Sequence, residues 1–244
     1  MVDMSTASQL LDIAEGYDSY CRTCRESPLN ALARKNCVYK ASGLDAEHAK
    51  RLTTLVANID LLRDTDTIVL SSSADNGYPH TRPRALICMP AHFITSSSDS
   101  ELKETLCHEA MHVHQRKYPE LWKTMCTAQG WKPLEKGSIP VRFREKCRIN
   151  PDTFFDIQFW SWDTYHVPLP MFKRDINITL GDVSIQWLDL RTGSLFHSPP
   201  ESFVAKYGEP SQPEHPYEIY AVIFTKEGIS THQELTMKLL SLSQ

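Results

Sequence analysis

The chain has 244 residues, which is enough for one large domain or two closely packed lobes. Its apolar fraction of 41% and charged fraction of 23% are typical of an ordinary globular protein. The net charge is −4 and no long basic block occurs, so composition and charge argue against nucleic acid as the main partner.

The first quarter of the chain is predicted to be helical. Apolar residues recur at helical spacing in three stretches, and Ser27-Pro28 separates the first two. The predicted helices cover residues 5–26, 29–35 and 45–62. They indicate an N-terminal helical lobe of residues 1–64 before a catalytic domain of residues 65–244, with one continuous domain as the alternative.

The N-terminal sequence and the cysteines indicate the compartment. MVDMSTASQLLDIAEG lacks the cationic start and apolar run of a signal peptide, and no stretch approaches the roughly 18 apolar residues of a membrane span. The seven cysteines are widely spaced, which favours reduced thiols over a disulfide framework. Cys21-Arg-Thr-Cys24 has no second pair to complete a zinc site, so free cysteines are favoured there. We therefore expect a cytoplasmic protein that does not contact a membrane.

The middle of the chain predicts extended segments followed by one long helix. Strand-like composition occurs at residues 67–70, 84–89 and 92–95. Ser98-Asp-Ser-Glu101 then has the spacing of a capping box. It opens a helix that is predicted to run to about Ala128, with a bend at Pro119 and a stop at Gln129-Gly130.

The last part of the chain is mixed. Strands are predicted at residues 154–160 and 183–188, with a turn at 189–193. Helices are predicted at residues 202–207, 216–224 and 230–244. Together these elements predict an α+β fold in which a small mixed or antiparallel sheet packs on the long central helix.

The sequence His108-Glu109-Ala110-Met111-His112 lies well inside the long predicted helix. Residues four apart lie one above the other on a helix, so His108 and His112 project together and can meet at one metal ion. Glu109 lies about 100° further round the helix, where it can take a proton from a water bound to that metal. The alternative is a solvated helix face that carries these residues by chance.

The polar residues after the motif differ in direction. His114 points about 200° away from His112, so it belongs behind the ligands or on the surface rather than in the metal site. Gln115, three residues after His112, lies nearer the metal face and can hydrogen-bond a ligand residue or a substrate.

HEAMH on a long helix after a sheet-like segment resembles the zincin superfamily of metallopeptidases over residues 67–128. The sequence after His112, Val-His-Gln-Arg-Lys-Tyr-Pro119, lacks the glycine and histidine of the metzincin branch, so the resemblance is gluzincin-like. The segments NPDT, RTG, PPESF and EHPYEI are also similar to uncharacterised HExxH proteins of large DNA viruses and microbial eukaryotes. That second resemblance implies no activity.

A catalytic zinc usually has three protein ligands and one open position. In gluzincins the third ligand is a glutamate on a later helix, which the resemblance assigns to Glu218 in Glu218-Ile-Tyr-Ala221. Pro216 suits the first position of a helix, so Glu218 is predicted in the first turn; an exposed acid favoured there by the helix dipole is the alternative. The competing candidates for the third ligand are Glu214, His215, Asp163 and His166.

The developing oxyanion of a hydrolase needs a hydrogen-bond donor, commonly a tyrosine, histidine or arginine. Tyr165-His166 is the preferred candidate pair. Tyr78-Pro-His80-Thr-Arg82 is the other candidate, since it lies among the extended segments upstream of the helix. Both are expected on the rim of the cleft.

Three functions fit the sequence. The leading hypothesis is a zinc-dependent hydrolase, in its simplest form a metallopeptidase, with Zn²⁺ held by His108, His112 and Glu218 and with Glu109 as general base. The substrate peptide is expected to lie along the strand next to the helix and to pair with it as an added strand. Two histidines and a carboxylate can also hold Fe²⁺ for oxygen chemistry on a small molecule. The third is a non-catalytic interaction protein of zincin shape, against which the intact Glu109 argues. The oligomeric state is left open.

Overall fold

Helices outnumber strands among the residues that the structure describes. The computed structural model describes residues 2–154 and 158–244. Its helices are α1 (Met4–Asp18), α2 (Tyr20–Glu26), α3 (Pro28–Ala33), α4 (Ala46–Ala57), α5 (Ala91–Ser96), α6 (Asp99–Lys117), α7 (Pro119–Ala128), α8 (Val141–Arg144), α9 (Glu201–Tyr207), α10 (Pro216–Lys226) and α11 (His232–Leu242). Within the described residues, none of these helices has both the length and the apolar character that a membrane crossing requires.

The strands form two sheets. The first contains β1 (Asp66–Leu70), β2 (His80–Arg82) and β3 (Leu86–Pro90) in the spatial order β1-β3-β2, with β1 parallel and β2 antiparallel to β3. The second is antiparallel and follows chain order: β4 (Trp131–Pro133), β5 (Trp160–Trp162), β6 (His166–Phe172), β7 (Val183–Asp189) and β8 (Ser194–Phe196). The predicted α+β class is confirmed. The strand predicted at 154–160 falls partly on residues 155–157, which lie outside the described residues.

Two local predictions are wrong for identifiable reasons. The helix predicted over residues 5–26 is interrupted at Ser19, whose φ of 53° is left-handed. The carboxylate of Glu15 accepts hydrogen bonds from the backbone N–H groups of Cys21 and Arg22. These N–H groups lie in the first turn of α2 and have no partner within the helix. Residues 92–95, predicted as a strand, lie in α5, because a short apolar run does not distinguish a strand from a buried helix.

The long predicted helix is divided at its proline. Tyr118, with φ −130° and ψ 56°, ends α6, and Pro119 occupies the first turn of α7. A proline disfavours helical geometry in the residue before it and suits the first position of a new helix. The bend predicted at Pro119 is therefore a break between two helices.

α6 lies at the centre of the largest apolar cluster. Leu102, Leu106, Ala110 and Met111 are fully buried there, together with residues of α4, α7, α10 and α11. α10 packs along α6, and both β2 and β3 contact it. Burial on several sides holds the helix that carries the HEAMH motif in a fixed position.

The N-terminal helices are joined to the first sheet through buried charges. Arg82 of β2 is fully buried and donates hydrogen bonds to two residues of α1, to Glu15 at 2.9 Å and to Asp18 at 2.6 Å. Arg34, just after α3, donates to Asp75 at 2.8 Å. Because buried charges need partners, these contacts tie the two predicted regions together.

Candidate metal centre

The two motif histidines project from one face of α6 towards a cavity of about 610 Å³. Their ring centroids are 4.7 Å apart and their Nε2 atoms 3.0 Å apart. His108 lines the cavity and keeps 17% of its side-chain surface, whereas His112 is fully buried. The helical spacing has thus brought two imidazole nitrogens to one point, as the sequence predicted.

Glu218 completes a group of three potential ligands. It lies in the first turn of α10, and its Oε2 is 3.5 Å from His108 Nε2 and 3.3 Å from His112 Nε2. A tetrahedral zinc with bonds of 2.0–2.1 Å separates its ligand atoms by roughly 3.4 Å. The three observed distances, 3.0, 3.3 and 3.5 Å, are close to that spacing. Among the described residues, these three form the group of His, Cys, Asp and Glu side chains able to hold a metal ion.

The helix that carries Glu218 begins where the sequence predicted. His215 caps α10 by accepting a hydrogen bond from the Tyr217 N–H, and Pro216 follows in the first turn. Glu218 is only 1% exposed, so it is not the solvated acid of the alternative interpretation. The fully buried Ala221 lies one turn further on, where a small side chain permits α10 to approach α6 closely.

Gln115 fixes the tautomer of His112. Its Nε2 donates to the carbonyl oxygen of Tyr217 at 3.0 Å, so its Oε1 is the atom 2.7 Å from His112 Nδ1. Because a carbonyl only accepts, this network assigns the proton of the neutral imidazole to Nδ1. In this neutral tautomer the Nε2 lone pair of His112 points towards His108 and Glu218, which is the form that binds a metal.

Asn150 holds the other oxygen of the Glu218 carboxylate. Its side-chain amide donates to Glu218 Oε1 at 2.6 Å, while Oε2 faces the two histidines. Asn150 was not among the predicted site residues. Asn150 opens the segment NPDT, whose resemblance to other HExxH proteins implies no role for it, and its contact with Glu218 depends on a segment far from the motif in sequence.

The electrostatics of the group favour a bound positive charge. Burial lowers the pKa of His112, but the charges of Glu218 and Asp152 act in the opposite direction and bring it to about 10. Burial raises the pKa of Glu218, yet the neighbouring His112 and His108 hold it well below its usual value. The carboxylate is therefore ionised, and a cation between it and the imidazoles would replace a proton.

Glu109 lines the same cavity as a buried carboxyl. It is 3% exposed, and within the described part of the chain its Oε2 has no hydrogen-bond partner. Burial raises the pKa of Glu109 well above its usual value, and the charge of Asp152 adds to this effect. Asp152, for which no site role was predicted, accepts hydrogen bonds from the N–H and hydroxyl of Thr81 at 2.6 and 2.8 Å. A carboxyl with a high proton affinity thus lies beside the three ligands.

The preferred oxyanion donors lie elsewhere. Tyr165 and His166 lie at the start of β6, where Tyr165 is 43% exposed beneath the guanidinium of Arg191, and neither lines the cavity. The structure therefore does not bring Tyr165 and His166 to the metal group.

The rival ligands are also accounted for. Glu214 accepts a hydrogen bond from Arg148, Asp163 accepts one from the Ser202 hydroxyl, and His215 is the helix cap described above. His114 lies behind the ligands, where its Nδ1 accepts a hydrogen bond from the Trp122 indole at 2.9 Å. None of the four rival ligands Glu214, His215, Asp163 and His166 belongs to the group of three described ligands.

The second oxyanion candidate does line the cavity. Tyr78 is 49% exposed, and its hydroxyl makes no hydrogen bond with any residue in 2–154 or 158–244. His80 is already committed, because its Nε2 contacts the Tyr39 hydroxyl at 2.7 Å and its Nδ1 the Tyr78 carbonyl at 3.0 Å. Arg82, the third donor of this candidate, is bonded to Tyr39, Glu15 and Asp18, so Tyr78 is the one with a free donor among the described residues.

The expected strand addition meets an obstacle in this structure. β2 is the edge strand of the first sheet that lines the cavity, through His80, but its three residues are buried and residues 151–153 pack against it. The Thr81 N–H is bonded to the Asp152 carboxylate. A peptide cannot pair with this amide while Asp152 occupies it, so the cavity is approached as a pocket rather than along a sheet edge.

Comparisons with known protein families, with curated proteins and with solved structures give no match for this chain. The geometry of the three ligands and of Glu109 therefore carries the functional argument.

Proposed function

We propose that this protein is a zinc-dependent hydrolase of the zincin type, in its simplest form a peptidase. The observation that carries the proposal is the convergence of His108, His112 and Glu218 at zinc-ligand spacing, with Glu109 buried in the same cavity. A mixed sheet beside α6 and a glutamate from a later helix support the gluzincin-like arrangement. Such a donor set fits a zinc site with one position left open.

The three ligands would hold the cation, and two further residues would orient them. Gln115 keeps the Nε2 lone pair of His112 directed into the group, and Asn150 keeps one oxygen of Glu218 there. A divalent cation in this position lowers the pKa of a coordinated water and polarises a carbonyl.

Glu109 and Tyr78 would handle the proton and the developing charge. The Glu109 carboxyl has the raised proton affinity that a general base needs, and its position in the cavity lets it pass a proton to a leaving amine. The free hydroxyl of Tyr78 is suited to donate a hydrogen bond to the carbonyl oxygen of the substrate.

Metal content tests the proposal directly. We expect about one zinc per chain by elemental analysis of the zinc-supplied protein, and loss of most of it in His108→Ala, His112→Ala and Glu218→Ala, because each removes one of three ligands. Glu109→Gln should keep the zinc and lose about 10²- to 10⁴-fold in the hydrolysis of a mixed peptide library, because only the base is removed.

His197→Ala is the matched control, since His197 is exposed and outside the cavity. It should keep both metal and turnover. Wild-type protein without stoichiometric metal after zinc is supplied would refute the proposal, as would unchanged turnover in Glu109→Gln. Bound iron with oxygen-dependent turnover would replace it with the non-haem iron alternative.

A further inference from the structure

Arg148 lines the cavity with most of its hydrogen-bonding capacity unused. Its Nη2 donates to Glu214 Oε1 at 2.7 Å, and within residues 2–154 and 158–244 this is the one hydrogen bond of its guanidinium. A guanidinium carries five N–H donors in a planar fork, and the buried Nε of Arg148 has no partner in the described chain. Arg34, which lines the same cavity, instead uses its donors on Asp75, Asn30, Tyr20 and the carbonyl of Ile149.

Arg148 lies two residues before Asn150, which contacts the Glu218 ligand. Residues alternate in direction along an extended segment, and Asn150 is extended with φ −100° and ψ 122°. Ile149 packs with Tyr20 and Cys24 on one side, whereas Arg148 and Asn150 carry their polar groups to Glu214 and Glu218. Two residues of extended chain span roughly 6.7 Å between their Cα atoms, and Arg148, Asn150 and Glu218 all line the same cavity.

The shape of the site limits the substrate to a short one. The cavity of about 610 Å³ is in the range of small-molecule pockets, and Asp152 closes the neighbouring strand edge at Thr81. A peptide extends about 3.5 Å per residue, so a carboxylate one or two residues beyond the scissile amide lies roughly 3.5 to 7 Å further along the cavity that Arg148 also lines. Arg148 can bind it through Nη1 while Nη2 stays on Glu214, because the fork presents separate donors.

We propose that Arg148 binds a carboxylate of the substrate, which makes the substrate class short, carboxylate-bearing peptides or N-acyl amino acids. The inference rests on the proposed function and specifies its substrate. The carboxylate comes either from a free C-terminus or from an acidic side chain, and both present the same planar pair of oxygens to the guanidinium.

Binding of three matched probes by titration calorimetry tests this inference. The probes are acetyl-Ala-Ala with a free carboxylate, acetyl-Ala-Ala-amide and acetyl-Ala-Asp-amide, each measured with and without added zinc. We expect one or both carboxylate probes to bind wild-type protein about 10- to 100-fold more tightly than acetyl-Ala-Ala-amide. The carboxylate probe that binds more tightly shows whether the carboxylate of the substrate comes from its C-terminus or from an acidic side chain.

The preference should disappear in Arg148→Gln and shrink in Arg148→Lys, which keeps the charge but not the fork. Arg191→Gln is the matched control, since Arg191 also forms one 2.7 Å ion pair, with Asp189, outside the cavity. It should keep the full preference. Thermal unfolding checks that each variant is folded, and the lysine variant provides the test if the glutamine variant is not.

Equal binding of all three probes to wild type would overturn the inference, as would a preference that survives in Arg148→Gln, because the metal would then account for it. Failure of the two proposals is distinguishable. Zinc-dependent turnover without a carboxylate preference removes only the role of Arg148. An Arg148-dependent preference in protein that binds no zinc supports the carboxylate site and refutes the hydrolase.

Discussion

Asn150 sets the position of the Glu218 carboxylate through a single hydrogen bond. The amide donates to Oε1 at 2.6 Å and leaves Oε2 for the histidines. Asn150→Ala should weaken zinc binding about 10- to 100-fold, which is the usual effect of removing a group that orients a metal ligand. Competition with a chelator of known affinity measures this change.

Asn36→Ala is a suitable control for that variant, because Asn36 is exposed and outside the cavity. Asn150 also accepts a hydrogen bond from the Asp152 N–H. The free energy of unfolding should therefore be measured in EDTA, so that a general loss of stability can be distinguished from weaker zinc binding. Unchanged zinc affinity in Asn150→Ala would show that Glu218 does not depend on this contact.

At the scale of residues, helical periodicity explains what the sequence revealed. His108, His112 and Gln115 lie on one helix, where spacing fixes direction, and all three meet as predicted. Glu218 was predicted as a ligand from the resemblance to gluzincins and from the helix-start signal at Pro216, not from its spacing to the histidines. Asn150 and Asp152 lie in the quoted NPDT segment, but no role was predicted for them, because no rule of local spacing tells which residues of a distant segment will face a helix.

At the scale of elements, the start of α6 depends on a capping box. The Ser98 hydroxyl accepts from the Glu101 N–H, and the Glu101 carboxylate accepts from the Ser98 N–H at 2.8 Å, which confirms the predicted box. Ser98→Ala removes the first of these bonds and should lower the free energy of unfolding by about 1 kcal/mol.

Urea denaturation followed by circular dichroism measures this loss as a lower midpoint with an unchanged slope. Ser100→Ala, two residues on in the first turn, is exposed and should change the free energy of unfolding by less than about 0.5 kcal/mol. Equal effects of the two substitutions would show that the box does not stabilise α6.

Element boundaries follow from sequence only where the signal is local. The start of α6, the proline break after it and the start of α10 each have a capping or proline signal, and each lies close to its predicted position. The break at Ser19 has no such signal, since it depends on Glu15 reaching the N-terminus of α2. The helical state of residues 92–95 likewise depends on packing of the fully buried Ile94.

At the scale of the whole molecule, Asp75 connects the N-terminal helices to the cavity. Its carboxylate accepts hydrogen bonds from Arg34 at 2.8 Å and from the Tyr20 hydroxyl at 2.7 Å, and it lies 3.8 Å from His80 of β2. Asp75 and Arg34 both line the cavity. The charge network therefore couples the packing of the N-terminal helices to the shape of the substrate pocket.

The same network makes stability depend on pH. Burial raises the pKa of Asp75, but the charges of Arg34 and His80, together with hydrogen bonds from Tyr20 and Arg34, outweigh burial and hold the pKa below its usual 3.8. A carboxyl whose folded pKa is depressed adds stability above its unfolded pKa, and that stability is lost as pH falls through the folded pKa.

Asp75→Asn should therefore lower the free energy of unfolding at pH 7 by about 3 kcal/mol, because Arg34 keeps a buried, uncompensated charge. Asparagine tolerates the left-handed φ of 44° at this position, so backbone strain adds little. Urea titrations from pH 7 to pH 3 should give a difference in the free energy of unfolding from wild type that is constant above about pH 4 and narrows below it.

Glu120→Gln, which removes one charge from an exposed pair, should differ from wild type in the free energy of unfolding by under about 1 kcal/mol throughout. A difference for Asp75→Asn that does not narrow in acid would mean that packing, rather than the ionised carboxylate, holds the N-terminal helices against the cavity.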